Sequence, residues 1–440
     1  MNTVDLKIEH ALVVTVDEKD TIIYDGCVCV HNGIICAIGT SDECAGYDAE
    51  MVIDAQGNML MPGLINAHTH AGMSVYRGMA DDFPLQEWLE DYIFPTEAEF
   101  ATRENVITGT KLSILEMISS GTTCFADMYY FEDSVAEVCD QMEMRAVLAQ
   151  AVIDYPAPDF KKPSDTFDFL RKIIPVYEKH PRVKIIPGPH SPYTCSPEVL
   201  SEARKIANEY SVPMHIHVAE TQHEYNLCIE QHDKTPVENL YDSDLLNGKT
   251  IAAHCVYTSE HDREIFVENN VGVVNNAQSN MKLVSGVAPI PALREVDVNV
   301  ALGTDSVVSN NSLDMFQEMK AAALIHKLHN ADATVLPARE IVRMGTIDGA
   351  RVLGLDSQVG SLEVGKQADM ILININKPHL MPLYNVYSQI VYAIQGGDVD
   401  TVFIDGECLY QNKLFTRFDA LDIMVDAQII ANKIQEQKKK

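Results

Sequence analysis

His68-Thr69-His70 sets two imidazoles two residues apart at the end of an apolar run, residues 64–70. Alternate side chains on a strand share a face, so both rings point the same way. A second run closes with His215-Ile216-His217 and is followed by Glu220; another ends at His254, and another at Asp305 in Leu302-Gly303-Thr304-Asp305. One histidine at a strand end is ordinarily a hydrogen-bonded structural residue. Here four of fifteen histidines, His68, His70, His217 and His254, fall at the ends of three distant runs, with an Asp at a fourth. Three imidazoles and a carboxylate form a borderline-hard donor set suited to zinc or ferrous iron, with one position left for water. His217 reads as the ligand, and His215, one pleat deeper, as its buried hydrogen-bonded neighbour.

Such residues converge only if the runs that carry them lie side by side. Short apolar runs occupy residues 64–70, 122–127, 146–150, 183–188, 213–218, 250–254, 271–275 and 298–305, eight in all. Helical periodicity fills residues 104–119, 134–143, 197–210 and 259–269, then 313–328 and 337–353. Eight strand–helix units predict an α/β fold, the (β/α)8 TIM barrel, whose reactive groups gather where strands end. The chain ends read differently. Residues 6–16, 21–30 and 34–38 alternate with period two, punctuated by Asp25-Gly26 and Asn32-Gly33. Residues 369–375 and 401–404 repeat the pattern around Asp405-Gly406, before an exposed final helix over residues 420–435. Neither β segment would be stable alone. Together they predict a composite β-sandwich domain from residues 1–61 and 361–440, flanking a metal-dependent catalytic barrel over residues 62–360.

The 440 residues carry 33 Lys plus Arg against 64 Asp plus Glu, a net charge of −31. That excludes nucleic-acid and anionic-membrane partners, which need a basic footprint. A small neutral or zwitterionic molecule remains. Ten cysteines without a Cys-x-x-Cys pair read as free thiols in a reducing compartment. No signal peptide or long apolar run appears, so a soluble cytoplasmic protein is expected.

The motifs resemble the amidohydrolase superfamily, and within it the 5′-methylthioadenosine/S-adenosylhomocysteine deaminases. The likeness rests on Pro62-Gly63-Leu64-Ile65-Asn66-Ala67-His68-Thr69-His70, His217-Val218-Ala219-Glu220, and Leu302-Gly303-Thr304-Asp305 followed by Ser309-Asn310-Asn311. It extends to Arg77-Gly78, to residues 85–89 with the only Trp, and to Gly188-Pro189-His190-Ser191-Pro192-Tyr193. It implies that His68, His70, His217 and Asp305 bind one divalent metal ion, zinc first and iron second. It implies that Glu220, His254 and Asp305 are catalytic, that Glu97 and His190 hold the ribose of a nucleoside, and that Glu220 and Asp305 also bind the substrate. Glu97 is expected on a loop over the mouth. Relatives of this kind are often homo-oligomers.

The implied reaction has a physical rationale. Attack at C6 of a purine pushes charge onto N1, so an acid must protonate N1. Glu220 is placed for that role, Asp305 to accept the proton of water, and His254 to steer the attacking oxygen. Methylthioadenosine, S-adenosylhomocysteine, adenosine and 5′-deoxyadenosine all satisfy this reading. Guanine or an s-triazine would use the same metal core without the ribose holders. A two-metal cyclic amidohydrolase would want a carboxylated Lys on the fourth strand, which instead runs Lys184-Ile185-Ile186-Pro187 towards His190. A metal-free scaffold is disfavoured by the intact ligand set. Two departures from the family pattern stand out: Gln150 where an Arg is common, and Asn276-Ala277-Gln278-Ser279-Asn280 in place of Asn-Pro-x-Ser-Asn.

Overall fold

The computed structural model describes residues 2–83 and 87–437. Leu85 of the 85–89 motif and the lysine tail, residues 438–440, fall outside them. Trp88 is buried, and its indole N–H donates to the Ala80 carbonyl (3.0 Å).

The chain opens with β1 (Asn2–Val14), β2 (Ile22–His31), β3 (Ile34–Thr40), β4 (Tyr47–Asp54) and β5 (Met59–Pro62). Asn32 and Gly33 both have positive φ, 51° and 75°, as the tight β2–β3 hairpin requires. Asp25-Gly26, expected as a turn, instead lies inside β2. The pairing slips from Ala11–Gly26 to Val13–Ile23, so Asp25 (φ 52°) is part of a bulge. Gly26 fits there because a Cβ would sit 2.6 Å from Val13 Cγ2.

Eight barrel strands follow: β6 (Leu64–Thr69), β7 (Thr122–Tyr129), β8 (Arg145–Val152), β9 (Val183–Pro189), β10 (Met214–Val218), β11 (Thr250–His254), β12 (Gly272–Asn275) and β13 (Val300–Leu302). They are buried on both faces, as parallel strands wrapped by helices must be. The ladders form two parallel four-stranded sheets, β6 to β9 and β10 to β13. The two seams close at the C-terminal rim. The Asp305 amide donates to the His68 carbonyl (2.9 Å) and the His217 amide to the His190 carbonyl (3.0 Å). Four candidate site residues thus also close the barrel. The helix expected over residues 337–353 is two, Ala338–Met344 and Ile347–Leu353. At the break the Gly345 carbonyl accepts from the Ile65 amide of β6 (2.9 Å).

The chain ends with β14 (Met370–Ile373), β15 (Val399–Ile404), β16 (Glu407–Gln411), β17 (Leu414–Phe415) and a helix, Ala420–Gln437. The composite β-sandwich domain is one hydrogen-bonded network of nine strands, joined where β5 pairs β14 and forked where β1 pairs both β4 and β5. The final helix is not exposed all round. Ala427, Ile430 and Ile434 are buried, while Leu421, Met424, Val425 and Ile429 form an outward apolar stripe.

An ion pair clamps the two units together. Arg145 at the start of β8 and Asp369 before β14 are each 1% exposed, with Nε to Oδ2 at 2.7 Å and Nη2 to Oδ1 at 3.0 Å. The Pro181 carbonyl and the Asp405 amide complete its hydrogen bonds. Breaking a buried pair strands a charge, so Asp369→Ala should cost about 3–5 kcal/mol. This reads out as a lower denaturant midpoint at unchanged slope; an unchanged midpoint would deny the pair a structural role.

Candidate active site

Three imidazoles converge at the rim, each with its outer nitrogen engaged. His70 Nδ1–H donates to the Met128 carbonyl (2.6 Å) and His217 Nδ1–H to the His190 carbonyl (2.8 Å). His68 Nδ1 lies 3.1 Å from His215 Nε2. A carbonyl can only accept, so it holds a proton at Nδ1 and turns Nε2 of His70 and His217 inward, the atom that a metal ion would take in the neutral ring. His68 Nε2 is fully buried and has no hydrogen-bond partner. Its ring centroid is 4.9 Å from those of both His70 and His217. Asp305 Oδ1 lies 3.4 Å from His68 Nε2 and 3.2 Å from His70 Nε2. Its Oδ2 accepts from Ser279 (2.6 Å) and Ser309 (3.0 Å). The carboxylate is therefore aimed, with one oxygen tied back and one facing the imidazoles.

The charges suit a cation. Burial pushes His68 down to about 4 and holds His217 well below the usual imidazole range, so both are neutral donors. Burial opposes ionisation of Asp305, but His68 and His70 outweigh it and keep the group anionic. Burial would likewise lower His70, yet the Asp305 carboxylate lifts it to about 9. An anion drawing positive charge to itself, a buried orphan nitrogen and three inward Nε2 atoms fit one divalent metal ion.

Beside this group stand Glu220 and His254. Glu220 follows β10 after Ala219, whose φ is 51°. Glu224 holds the turn by accepting from the amides of Ala219 (3.0 Å) and Glu220 (2.8 Å). The Glu220 carboxyl is pushed up by burial, with His254 opposing. His254 ends β11 at φ 73°, a strained value for a residue with a Cβ. The side-chain amide nitrogens of Asn276 (3.3 Å) and Asn280 (3.0 Å) face its Nδ1. Nδ1 so accepts, and Nε2 carries the proton, 3.8 Å from Glu220 Oε2. In that tautomer Nε2–H is a donor, and His254 also forms with His68 and Asp305 a group whose ligand atoms lie within 4.8 Å of one another. The altered 276–280 stretch forms the start of a short helix, Ala277–Lys282, and keeps both asparagines on His254.

Glu97 sits in a helix, Phe94–Phe100, not on the expected loop. Pro95 at the first turn presets its start. The buried Glu97 carboxyl accepts from the Tyr129 hydroxyl (2.6 Å) and is pushed up by burial. His190 lies between β9 and the mouth, its Nδ1 held by Thr194 Oγ1 (2.8 Å), its ring centroid 4.9 Å from that of His217. Burial keeps it neutral, down to about 4.

Residues 59–409 match the amidohydrolase family. The chain belongs to that family. It is 41% identical over 432 residues to a 5-methylthioadenosine/S-adenosylhomocysteine deaminase of Syntrophobacter fumaroxidans, covering 98% of each chain. It is 42% identical over 396 residues to a 5′-deoxyadenosine deaminase of Methanosphaera stadtmanae, covering 90% of this chain and 92% of that one. Among solved structures it resembles an adenosine deaminase of Xanthomonas campestris with bound zinc, at 34% identity and a TM-score of 0.97 over 99% of both chains.

In this amidohydrolase, Gln150 is buried on β8 and hydrogen-bonds Asp159 (2.9 Å) and the Glu132 amide (3.3 Å). It is committed to the protein's own loops. Arg77 is likewise spent on Glu116 and the Asn311 carbonyl, bracing the loop after β13. Tyr129 under Glu97 and Glu224 beneath Glu220 carry no sequence signal that singles them out, and Ser279 on Asp305 and Asn280 on His254 lie in the 276–280 stretch without a partner being legible there. Each is an ordinary polar residue until the fold supplies its partner.

Proposed function

We propose that this amidohydrolase removes the 6-amino group of adenine nucleosides by hydrolysis, giving the inosine analogue and ammonia. The observation that carries the reading is the aimed His68, His70, His217 and Asp305 donor set, with a buried carboxyl, Glu220, and a proton-bearing His254 beside it. The names of relatives identical at about 40% over nearly the whole chain support the nucleoside substrate. We assign catalysis to residues 62–360 and scaffolding to residues 1–61 and 361–440.

A divalent cation on His68, His70, His217 and Asp305 would lower the pKa of a coordinated water from 15.7 to about 7. The zinc of the Xanthomonas structure supports zinc over iron. Asp305, anionic and oriented by two serines, accepts a proton from the water that adds to C6. Glu220, whose carboxyl burial pushes towards the neutral form, gives its proton to N1, and His254 Nε2–H orients the attacking oxygen. The C6–N bond then breaks. Ammonia leaves with the proton that Asp305 returns, and the hydroxyl proton lost in forming the C6 carbonyl replaces the one Glu220 gave. Glu97 and His190 hold the ribose, with Tyr129 setting the Glu97 carboxylate.

Ten free cysteines support a reducing, cytoplasmic setting, and the apolar stripe on the final helix supports a homo-oligomer. No helix among the described residues is long and apolar enough to cross a membrane. An ultraviolet assay over methylthioadenosine, S-adenosylhomocysteine, adenosine and 5′-deoxyadenosine should record conversion of adenine to hypoxanthine. Activity on guanine or s-triazines, with none on any adenosine derivative, would overturn the proposal.

A further inference from the structure

Far from the barrel mouth, the composite sheet gathers thiols that the reaction above does not use. Cys27 and Cys29 alternate along β2 and so share one face. Cys44, in the turn after β3, packs onto them. Cys27 Sγ lies 3.9 Å from Cys29 Sγ, and the three sulfurs fall within 4.8 Å of one another. They are 0%, 0% and 2% exposed, walled by Val4, Tyr47 and Ala49. Three thiols meeting in one dry pocket are soft donors without a polar competitor.

Two further features treat this pocket as more than packing. Lys7 lies opposite Cys29 on β1, its ammonium also paired with Glu9 (2.7 Å). Pairing between β2 and β3 jumps from Cys29–Ala37 to Val30–Ile35, which makes Cys36 the extra residue of a bulge. That bulge sets a fourth, half-buried thiol beside the group, with its Sγ donating to the Cys29 carbonyl (3.3 Å). Cys44 is the one buried residue of an otherwise outward-facing turn, residues 41–46. A thiol at the surface and a turn over the pocket provide a route inward.

We propose that Cys27, Cys29 and Cys44 form a three-sulfur binding site for a monovalent soft cation, Cu(I). Thiolates select Cu(I), zinc or iron–sulfur clusters, but structural zinc wants four ligands in a tetrahedron. Here three sulfurs converge, while the fourth thiol, Cys36, turns its Sγ onto the Cys29 carbonyl instead of joining them. Two thiolates and one thiol around Cu(I) leave one net negative charge, beside which stands the Lys7 ammonium, shared with Glu9. Binding releases two thiol protons to solvent with no change of oxidation state.

The test titrates Cu(I) into the reduced, metal-replete enzyme under anaerobic conditions, against a chromogenic Cu(I) chelator. Wild type should hold one Cu(I) per chain with sulfur as its only near neighbour in copper X-ray absorption. Cys29→Ser and Cys44→Ser should each weaken that binding by about a hundredfold or more, beyond the 10–100-fold of an outer-shell change. Unchanged thermal unfolding of the two variants separates a lost ligand from a lost fold, and Cys27→Ala serves if either fails to fold. Equal copper uptake by wild type and variants, nitrogen or oxygen around the copper, or no uptake after full reduction would each overturn the site.

Discussion

Glu220→Gln is expected to keep a full complement of metal and to lose at least about two decades of turnover on an adenine nucleoside, within the 10²–10⁴-fold range of general acid catalysis. Glu220 is outside the donor group, so the cation should stay. The amide matches the carboxyl in size and still accepts hydrogen bonds. It cannot deliver an acidic proton to N1. The wild-type carboxyl is suited to that delivery because burial favours its neutral form, while His254 Nε2 at 3.8 Å keeps it from being stranded. Turnover should fall while the Michaelis constant moves much less, since the proton is demanded mainly in the transition state. Metal analysis beside steady-state rates checks both halves. A variant with intact metal and near-normal turnover would remove Glu220 from the chemistry.

Most of the fold was legible because the barrel strands announce themselves. Each of the eight apolar runs overlaps its strand, though β7, β8 and β9 extend past theirs, since strands buried on both faces need unbroken apolar sequence. The rim residues were legible for a related reason: His68, His70, His217, His254 and Asp305 interrupt that apolar pattern where it ends. What escaped is whatever depends on contact between distant segments. Glu97 is marked only by the family resemblance, and its hydrogen bond from Tyr129, 32 residues on, is invisible in the sequence. Ser279 lies in the 276–280 stretch already noted, but its partner is hidden until the chain after β13 brings Asp305 within 2.6 Å. Asp25-Gly26 has the composition of a turn and becomes a bulge, because β1 offers one residue too few to pair with. The split of residues 337–353 answers to Ile65, almost three hundred residues away, whose amide takes the Gly345 carbonyl. Local pattern fixes which segments are strands; only tertiary pairing decides which polar groups work together.

The barrel seams explain why one substitution should do more damage than its size implies. Asp305 closes one seam through its amide on the His68 carbonyl, holds a left-handed φ of 62°, and presents Oδ1 to two imidazoles. The adjoining serines hold Oδ2, so Asp305→Asn should keep the backbone and the seam in place. The substitution removes the negative charge that offsets a divalent cation, and it removes the base that accepts the water proton. Loss of the base alone is worth about 10²–10⁴-fold, and a weakened ligand adds to it. The variant should therefore be purified with less metal and with activity lowered by at least about three decades, both effects drawing on the same carboxylate. Adding excess zinc during the assay separates the two roles. If metal content recovers and turnover stays at least about two decades down, Asp305 acts as a base as well as a ligand. If zinc restores the rate, Asp305 holds the cation and nothing more, and the proton must leave by another group at the rim.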